Sequence, residues 1–101
     1  MTHSVLIKTD PEVFRRAGEC LRILSHPVRL QLVERLLQGR FTVGELAEEF
    51  DLLPHVACEH LRKLENCGLL TKEKHGRQSY YRSAQDYVVQ IMNCIYSHFK
   101  G

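Results

Sequence analysis

The sequence has no apolar run that approaches the roughly 20 residues of a membrane-spanning helix. Its apolar N-terminal segment, residues 5–7, is also too short for the hydrophobic region of a signal peptide. We therefore expect a cytoplasmic protein without a membrane partner. Glycine and proline are scarce as well, with six and three residues, which leaves little material for flexible linkers between domains.

The four cysteines lack the close spacing of a disulfide framework or a zinc knuckle. They stand at positions 20, 58, 67 and 94 without any C-x-x-C pair, which is typical of reduced thiols in a cytosol. The sequence also lacks G-x-S-x-G, H-E-x-x-H, a phosphate-binding glycine loop and a catalytic pair of carboxylates. We therefore expect neither an enzyme nor a bound cofactor.

Length and composition predict one globular domain over residues 1–101, since 44% of the residues are hydrophobic and 26% are charged. The net charge of +2 does not identify a partner, but the charges are segregated along the chain. Every charged residue in 42–53 is acidic, whereas 70–83 is mostly basic and includes two tyrosines. The basic segment could contact a phosphate backbone or could be an ordinary solvated hairpin.

Apolar residues recur at helical spacing in five segments, and two strand-like runs lie between the fourth and the fifth. The first predicted helix covers about residues 10–24 and the last about 86–99. The strands cover 69–75 and 78–83, with a tight turn at Gly76 and Arg77. This predicts a mainly α fold with a small β-hairpin, in the order α-α-α-α-β-β-α. The residues predicted to begin the helices are Asp10, Ser25 or His26, Thr42 in a capping box with Glu45, Pro54 and Asp86.

Two helices joined by a short turn and followed by a hairpin form a helix-turn-helix with a wing, whose second helix enters the DNA major groove. The chain carries E-L-A at 45–47, H-L-R-K-L at 60–64, G-L-L at 68–70 and G-R-Q-S-Y-Y-R at 76–82. With L-S-H-P at 24–27, these strings make residues 13–99 resemble the ArsR/SmtB family of winged-helix transcriptional regulators. The resemblance implies a homodimeric repressor that binds a double-stranded operator and is released by an inducer.

The expected DNA contacts lie on the fourth helix and on the hairpin. Arg62 can grip a guanine or a phosphate with two donors, and the hairpin tip can approach a minor groove or a backbone. The family commonly has a small hydroxyl residue and then a basic or neutral polar residue where this chain has Cys58 and Glu59. The acidic side chain of Glu59 repels phosphate. His60 is expected to be structural, and only one of Tyr80 and Tyr81 can point outward. The candidate DNA-binding residues are His55, Cys58, Glu59, Arg62, Lys63, Lys74, His75, Arg77 and Gln78.

The resemblance implies that the first and last helices form the dimer interface. The apolar stripe of the last helix also needs a cover, which could be a second copy or the first helix of the same chain. The candidate interface residues are Val13, Ala17, Cys20, Val88, Ile91, Met92, Ile95 and Phe99.

The inducer could be a small molecule, a metal ion or a thiol oxidant. Cys94 and His98 are weak candidates for metal ligands because they are one helical turn apart, but two ligands do not complete a site. Cys58 is expected to be an ordinary thiol near the DNA, and Cys20 an inert one. The cysteine pair of the family's persulfide-responsive members, on the second and last helices, is absent. The alternative function is a winged-helix module for protein association, which would not need the basic hairpin.

Overall fold

The computed structural model describes residues 9–84 and 86–101, and it has the mainly helical, winged helix-turn-helix architecture that the sequence predicts. No helix within these residues has both the length and the apolar character needed to cross a membrane. The elements in chain order are α1 (Pro11–Leu24), α2 (Pro27–Leu36), β1 (Phe41–Thr42), α3 (Val43–Glu49), α4 (Pro54–Asn66), β2 (Leu70–His75), β3 (Gln78–Ser83) and α5 (Asp86–Phe99).

The helices begin where side chains bind free backbone amides. The Asp10 carboxylate accepts a hydrogen bond from the Glu12 amide over 3.0 Å, and Nδ1 of His26 accepts one from the Val28 amide over 3.2 Å. His26 is therefore the residue that caps α2. Thr42 and Glu45 each accept a bond from the other's amide, over 3.1 and 2.8 Å, which is the reciprocal pattern of the predicted capping box.

The turn of the helix-turn-helix is held by backbone bonds at the end of α3. Asp51 has a φ of 54°, in the left-handed region that non-glycine residues rarely adopt. Its amide bonds to the Glu48 carbonyl, and the Leu52 amide bonds to the Ala47 carbonyl over 2.8 Å. These two bonds form a Schellman motif, which directs the chain into α4.

The predicted hairpin belongs to a three-stranded antiparallel sheet with the order β1-β3-β2. The sequence prediction missed β1, because a two-residue strand shows no alternation of apolar and polar residues. Its residues Phe41 and Thr42 pair with Tyr81 and Tyr80. At the hairpin tip, Gly76 has a φ of 65°, and a positive φ at the first turn position favours glycine there.

A core of leucines joins α2, α3 and α4 to the sheet and to one face of α5. Val88 and Met92 belong to this core, with 1% and 8% of their surface exposed. The expectation that they form a dimer interface is wrong, because their own chain already covers them. The core residues are Leu24, Leu32, Val33, Leu36, Leu46, Leu61, Leu64, Leu69, Leu70, Tyr81, Val88 and Met92.

The outer faces of α1 and α5 remain apolar and exposed. Tyr96 and Phe99 on α5 are 69% and 75% exposed, so α1 of the same chain does not cover them. Ile91 and Ile95 are half-buried at the margin of this face. The exposed α1 residues include Val13, Phe14, Ala17 and Leu21. The predicted interface residue Cys20 is instead half-buried, with its thiol directed at Cys67 of the same chain.

Candidate nucleic-acid interface

The helix α4 separates buried apolar residues from exposed polar ones. Ala57, Leu61 and Leu64 are completely buried and fix the orientation of the helix on the core. Cys58 is half-buried beside the outward face. The predicted contact residues that the structure leaves exposed on this helix are His55, Glu59, Arg62 and Lys63, together with Asn66.

Arg62 is positioned by Cys58, one helical turn before it. Its Nη2 atom donates a hydrogen bond to the Cys58 Sγ over 3.2 Å. The guanidinium is a planar fork with five N–H donors, so this bond leaves further donors for a base or a phosphate. Cys58 therefore contributes to the surface by orienting Arg62.

His60 anchors the inward side of α4, as the sequence predicts. Its Nδ1 accepts a hydrogen bond from Nε of Arg29 over 3.1 Å, and Arg29 also donates to the Ile23 carbonyl over 3.1 Å. The His26 ring lies 4.9 Å from the His60 ring. Burial lowers the pKa of His60, and the charges of Arg29 and His26 lower it further, so the neutral ring is favoured.

On the outer face of the wing, several basic side chains surround one carboxylate. Glu73 lies 3.3 Å from Arg82 and from His75, and 3.9 Å from Arg40. The hydrogen bond from His75 lowers the pKa of Glu73 most, burial opposes this effect, and the hydrogen bond and charge of Arg82 lower the pKa further. The Arg40 guanidinium also lies over the Tyr80 ring, 4.7 Å from its centre. Arg40 was missed by the sequence analysis, because it precedes β1 and is 33 residues from Glu73 in the sequence.

The tip of the wing carries the basic side chains that are left for an outside partner. Lys74, Arg77 and Gln78 are exposed, and no carboxylate in residues 9–84 or 86–101 forms an ion pair with Lys74 or Arg77. His75 is exposed too, but its Nε2 atom already lies within hydrogen-bond distance of Glu73 and Arg40. The tip therefore offers two uncompensated positive charges.

The wing and α4 are joined through Tyr81. Its side chain is 3% exposed, whereas Tyr80 is only half-buried, so the two tyrosines face opposite sides of β3 as predicted. Burial raises the pKa of Tyr81, and the nearby Glu65 and Cys58 of α4 add to the effect. Because α4 also packs on β2, the predicted contacts lie on elements that touch one another.

The cysteines and histidines do not gather into a metal centre within the part of the chain that the structure describes. Cys94 and His98 are both exposed, and the His98 ring packs edge-on against Phe99 with 4.6 Å between the ring centres. A different pair, Cys20 and Cys67, has its sulfur atoms 3.5 Å apart. Sequence analysis did not predict this pair, because 47 positions separate the two residues.

Residues 26–72 match the family model described as "Bacterial regulatory protein, arsR family". The chain is also 33% identical over 94 residues to the biofilm growth-associated repressor of Xylella fastidiosa, covering 90% of this chain and 82% of that one. This protein belongs to the arsR family of bacterial regulatory proteins. It is therefore a DNA-binding transcriptional regulator and not an enzyme, as the sequence predicts.

Solved structures of other proteins share the fold of this chain. The crystal structure of the transcriptional repressor BigR from Xylella fastidiosa superposes with a TM-score of 0.74 at 32% identity, over 91% of this chain and 97% of that one. A homodimeric winged helix-turn-helix domain from Mycobacterium bovis gives a TM-score of 0.79 at 22% identity, over 90% and 86% of the two chains. At this lower identity, the second likeness bears on the fold alone.

Proposed function

We propose that this arsR-family regulator is a cytoplasmic homodimeric repressor that is released from its operator by an inducer. In this proposal α4 enters the major groove, the wing contacts the adjacent backbone or minor groove, and α1 and α5 join the two copies. Repression is proposed by likeness to the Xylella fastidiosa relative, which is named a repressor. Dimerisation is proposed from the exposed apolar faces of α1 and α5, and the Mycobacterium bovis domain of the same fold is described as homodimeric.

The observation that carries the proposal is the exposed polar face of α4. Its completely buried side, with Leu61 and Leu64, turns Arg62 and Lys63 to the solvent. Arg62 is the residue suited to read a guanine, because a guanidinium can donate two hydrogen bonds to its O6 and N7 atoms. Lys63 is suited to a phosphate, which it meets as a point charge.

Two other exposed residues of α4 would discriminate between bases. Glu59 can accept a hydrogen bond from a cytosine amino group, but its charge also repels phosphates. His55 lies in the first turn of the helix, the end that recognition helices direct at base edges. The negative charge of Glu59 would lower the affinity for all DNA. Contacts to bases would then account for a larger part of the binding free energy.

The wing would supply affinity that does not depend on sequence. Lys74 and Arg77 carry uncompensated charges at the tip, and His75 and Gln78 flank the turn. Each phosphate that such a side chain neutralises releases condensed counterions, which makes binding weaken with salt. In this proposal the wing residues position the protein on the DNA backbone, and α4 reads the base sequence.

The exposed apolar faces of α1 and α5 would be buried by a second copy. Val13, Phe14 and Leu21 on α1 and Val89, Tyr96 and Phe99 on α5 are each at least 41% exposed. Dimers of this kind place two recognition helices about 34–36 Å apart, one turn of DNA. The operator should therefore contain two half-sites related by a two-fold axis.

Selection of bound duplexes from a random DNA pool tests the proposal without knowledge of the regulated genes. The recovered sequences should contain a pseudo-palindrome, and Arg62→Ala should lose its preference at one position of each half-site. Arg15→Ala is the matched control, because it removes the same charge from an exposed residue of α1. If the wild-type pool shows no enrichment and binds no duplex, the protein-association alternative replaces this proposal.

A further inference from the structure

The thiols of Cys20 and Cys67 form a pair inside one chain. The Sγ atoms are 3.5 Å apart, and the Cys20 thiol also lies 3.6 Å from the Cys67 carbonyl. The Cys67 thiol donates in turn to the Leu64 carbonyl over 3.5 Å. Both residues are half-buried, so the surrounding helices hold the sulfur atoms next to each other.

The pair lies where three functional elements meet. Cys20 is in the last two turns of α1, and Cys67 is the residue that caps the C-terminal end of α4. The Tyr87 hydroxyl, in the first turn of α5, lies 3.4 Å from the carbonyl of Gly68, which follows Cys67. A bond between the two sulfur atoms would tie a proposed dimerisation helix to the recognition helix.

Two thiols without further ligands are suited to disulfide formation. A structural metal site needs about four ligands, and no group of three or more Cys, His, Asp or Glu that could hold a metal occurs in residues 9–84 and 86–101. A disulfide needs only the two sulfur atoms and a two-electron oxidant. Its S–S bond of about 2.05 Å requires the sulfur atoms to approach by about 1.5 Å.

A small oxidant can reach the pair through a surface groove. The groove has a volume of about 430 Å³ and is lined by Arg16, Glu19, Arg22, Lys63 and Asn66 beside the two cysteines. Burial and the Cys67 thiol raise the pKa of Cys20 to about 11, so at neutral pH Cys20 is a poor first nucleophile. In the scheme proposed below Cys67 reacts first, and Cys20, whose thiol donates a hydrogen bond to the Cys67 sulfur, resolves the intermediate.

We propose that Cys20 and Cys67 are a redox-active dithiol that hydrogen peroxide oxidises to an intramolecular disulfide, and that this disulfide weakens DNA binding. The Cys67 sulfur attacks one peroxide oxygen, the O–O bond breaks, and the departing hydroxide takes up the thiol proton as water. The Cys20 sulfur then attacks the resulting sulfenic acid, the S–O bond breaks, and a second water leaves with the Cys20 proton. The two sulfur atoms give up two electrons, which reduce one peroxide to two waters.

The effect on DNA rests on the proposed function and follows from the position of the bond. In a dimer joined through α1 and α5, the distance between the two copies of α4 must match one turn of DNA. The disulfide shifts the C-terminal end of α4 relative to α1, so it changes this distance in both halves of the dimer. We expect the oxidised protein to bind its operator at least tenfold more weakly.

Peptide mapping tests the disulfide without reference to DNA. Trypsin cleavage at Lys and Arg places each cysteine in its own peptide, and the proposal predicts a link between peptides 17–22 and 64–72 after peroxide treatment. The intact chain should lose about 2 Da, and dithiothreitol should reverse the change. Two free thiols at 20 and 67 after treatment, or linkage only through Cys58 or Cys94, would overturn the proposal.

DNA binding before and after peroxide tests the regulatory effect. Wild type and Cys94→Ser should both lose affinity on oxidation and recover it with dithiothreitol, whereas Cys20→Ser should keep its affinity. An equal loss in Cys20→Ser would place the effect at another thiol, such as Cys58, and a mapped disulfide without loss of affinity would contradict regulation. If reduced wild type binds no duplex, the proposed function fails, while the peptide map still decides whether the dithiol is redox-active.

Discussion

The Nε atom of Arg29 donates a hydrogen bond to Nδ1 of His60 over 3.1 Å, and this bond connects the first turn of α2 to the inward face of α4. The same guanidinium binds the Ile23 carbonyl near the end of α1. One side chain thus ties a proposed dimerisation helix, α2 and the recognition helix together. His60 must stay neutral to accept this bond, because a protonated imidazole has no free lone pair.

Removal of the Arg29 side chain should destabilise the fold. Arg29→Ala loses both hydrogen bonds, and bonds that involve a charged group contribute about 1.5–3 kcal/mol each. We expect the free energy of unfolding to fall by at least about 1.5–3 kcal/mol, the contribution of one such bond, measured by urea denaturation followed by circular dichroism. Arg29→Lys keeps the charge but not the planar guanidinium with its several donors. Its free energy of unfolding should lie between those of wild type and Arg29→Ala. Equal midpoints for all three proteins would contradict the bridging role.

Stability should fall with acid through His60. Its pKa in the folded state lies below the usual value of about 6.5, so the unfolded chain binds more protons between the two values. The stability that His60 contributes is therefore complete above pH 6.5 and is lost as the pH falls through the lowered folded-state pKa. His60→Asn retains an acceptor for Arg29 but does not titrate. Urea midpoints at pH 7.5 and 5.5 should differ more for wild type than for His60→Asn, and an equal difference would exclude His60 as the cause.

Two arginines should affect DNA binding in different ways. Arg62→Ala should lose about 1–3 kcal/mol on the selected operator and relax the preference at one position, because Arg62 is exposed on the face of α4 that we propose enters the groove. Arg77→Ala should weaken all duplexes alike and reduce the slope of log affinity against log salt by about one. Fluorescence anisotropy at several salt concentrations measures both effects. Unchanged affinity in both variants would show that neither segment touches DNA.

The dimer should dissociate when charge is placed on the exposed face of α5. Tyr96→Glu and Phe99→Glu change residues outside the core, so the monomer should remain folded. Substitution of the half-buried Ile91 or Ile95 would disturb the fold as well. Gln90→Glu introduces the same charge at another exposed position of α5 and should remain dimeric. Sedimentation velocity at micromolar concentration distinguishes the species, and a monomeric wild type would refute the interface.

The turn between α3 and α4 should tolerate glycine and reject a β-branched residue. Asp51 has a φ of 54°, which costs about 1–2 kcal/mol for a residue with an ordinary side chain. Asp51→Val should therefore destabilise the protein by about that amount, whereas Asp51→Gly should be at least as stable as wild type. Thermal unfolding of the two variants measures the difference, and a Val variant as stable as the Gly variant would contradict this conformation.

Local signals predicted most of the fold. The capping groups of Asp10 and of the Thr42 and Glu45 box act within a few residues, so the sequence places α1 and α3 correctly. Helical spacing likewise predicted which residues of α4 are exposed. The two-residue strand β1 has no such pattern, because its formation depends on Tyr80 and Tyr81, about 40 residues later.

Contacts between distant segments could not be read in the same way. The apolar stripe of α5 was evident from the sequence. Its spacing does not predict that the rest of the chain covers Val88 and Met92 while Tyr96 and Phe99 stay exposed. The Cys20 and Cys67 pair depends on how α1 crosses the end of α4. The position of Arg40 beside Glu73 depends on the sheet register.

The affinity of the protein for its selected operator, compared with a scrambled duplex of the same composition, tests the central claim most directly. Measured at physiological salt with reduced protein, a sequence-specific dimer should prefer the operator by about 10³-fold or more. That result would support readout of bases by α4 and positioning by the wing. Equal affinity for the two duplexes would contradict the claim that this protein is a sequence-specific repressor.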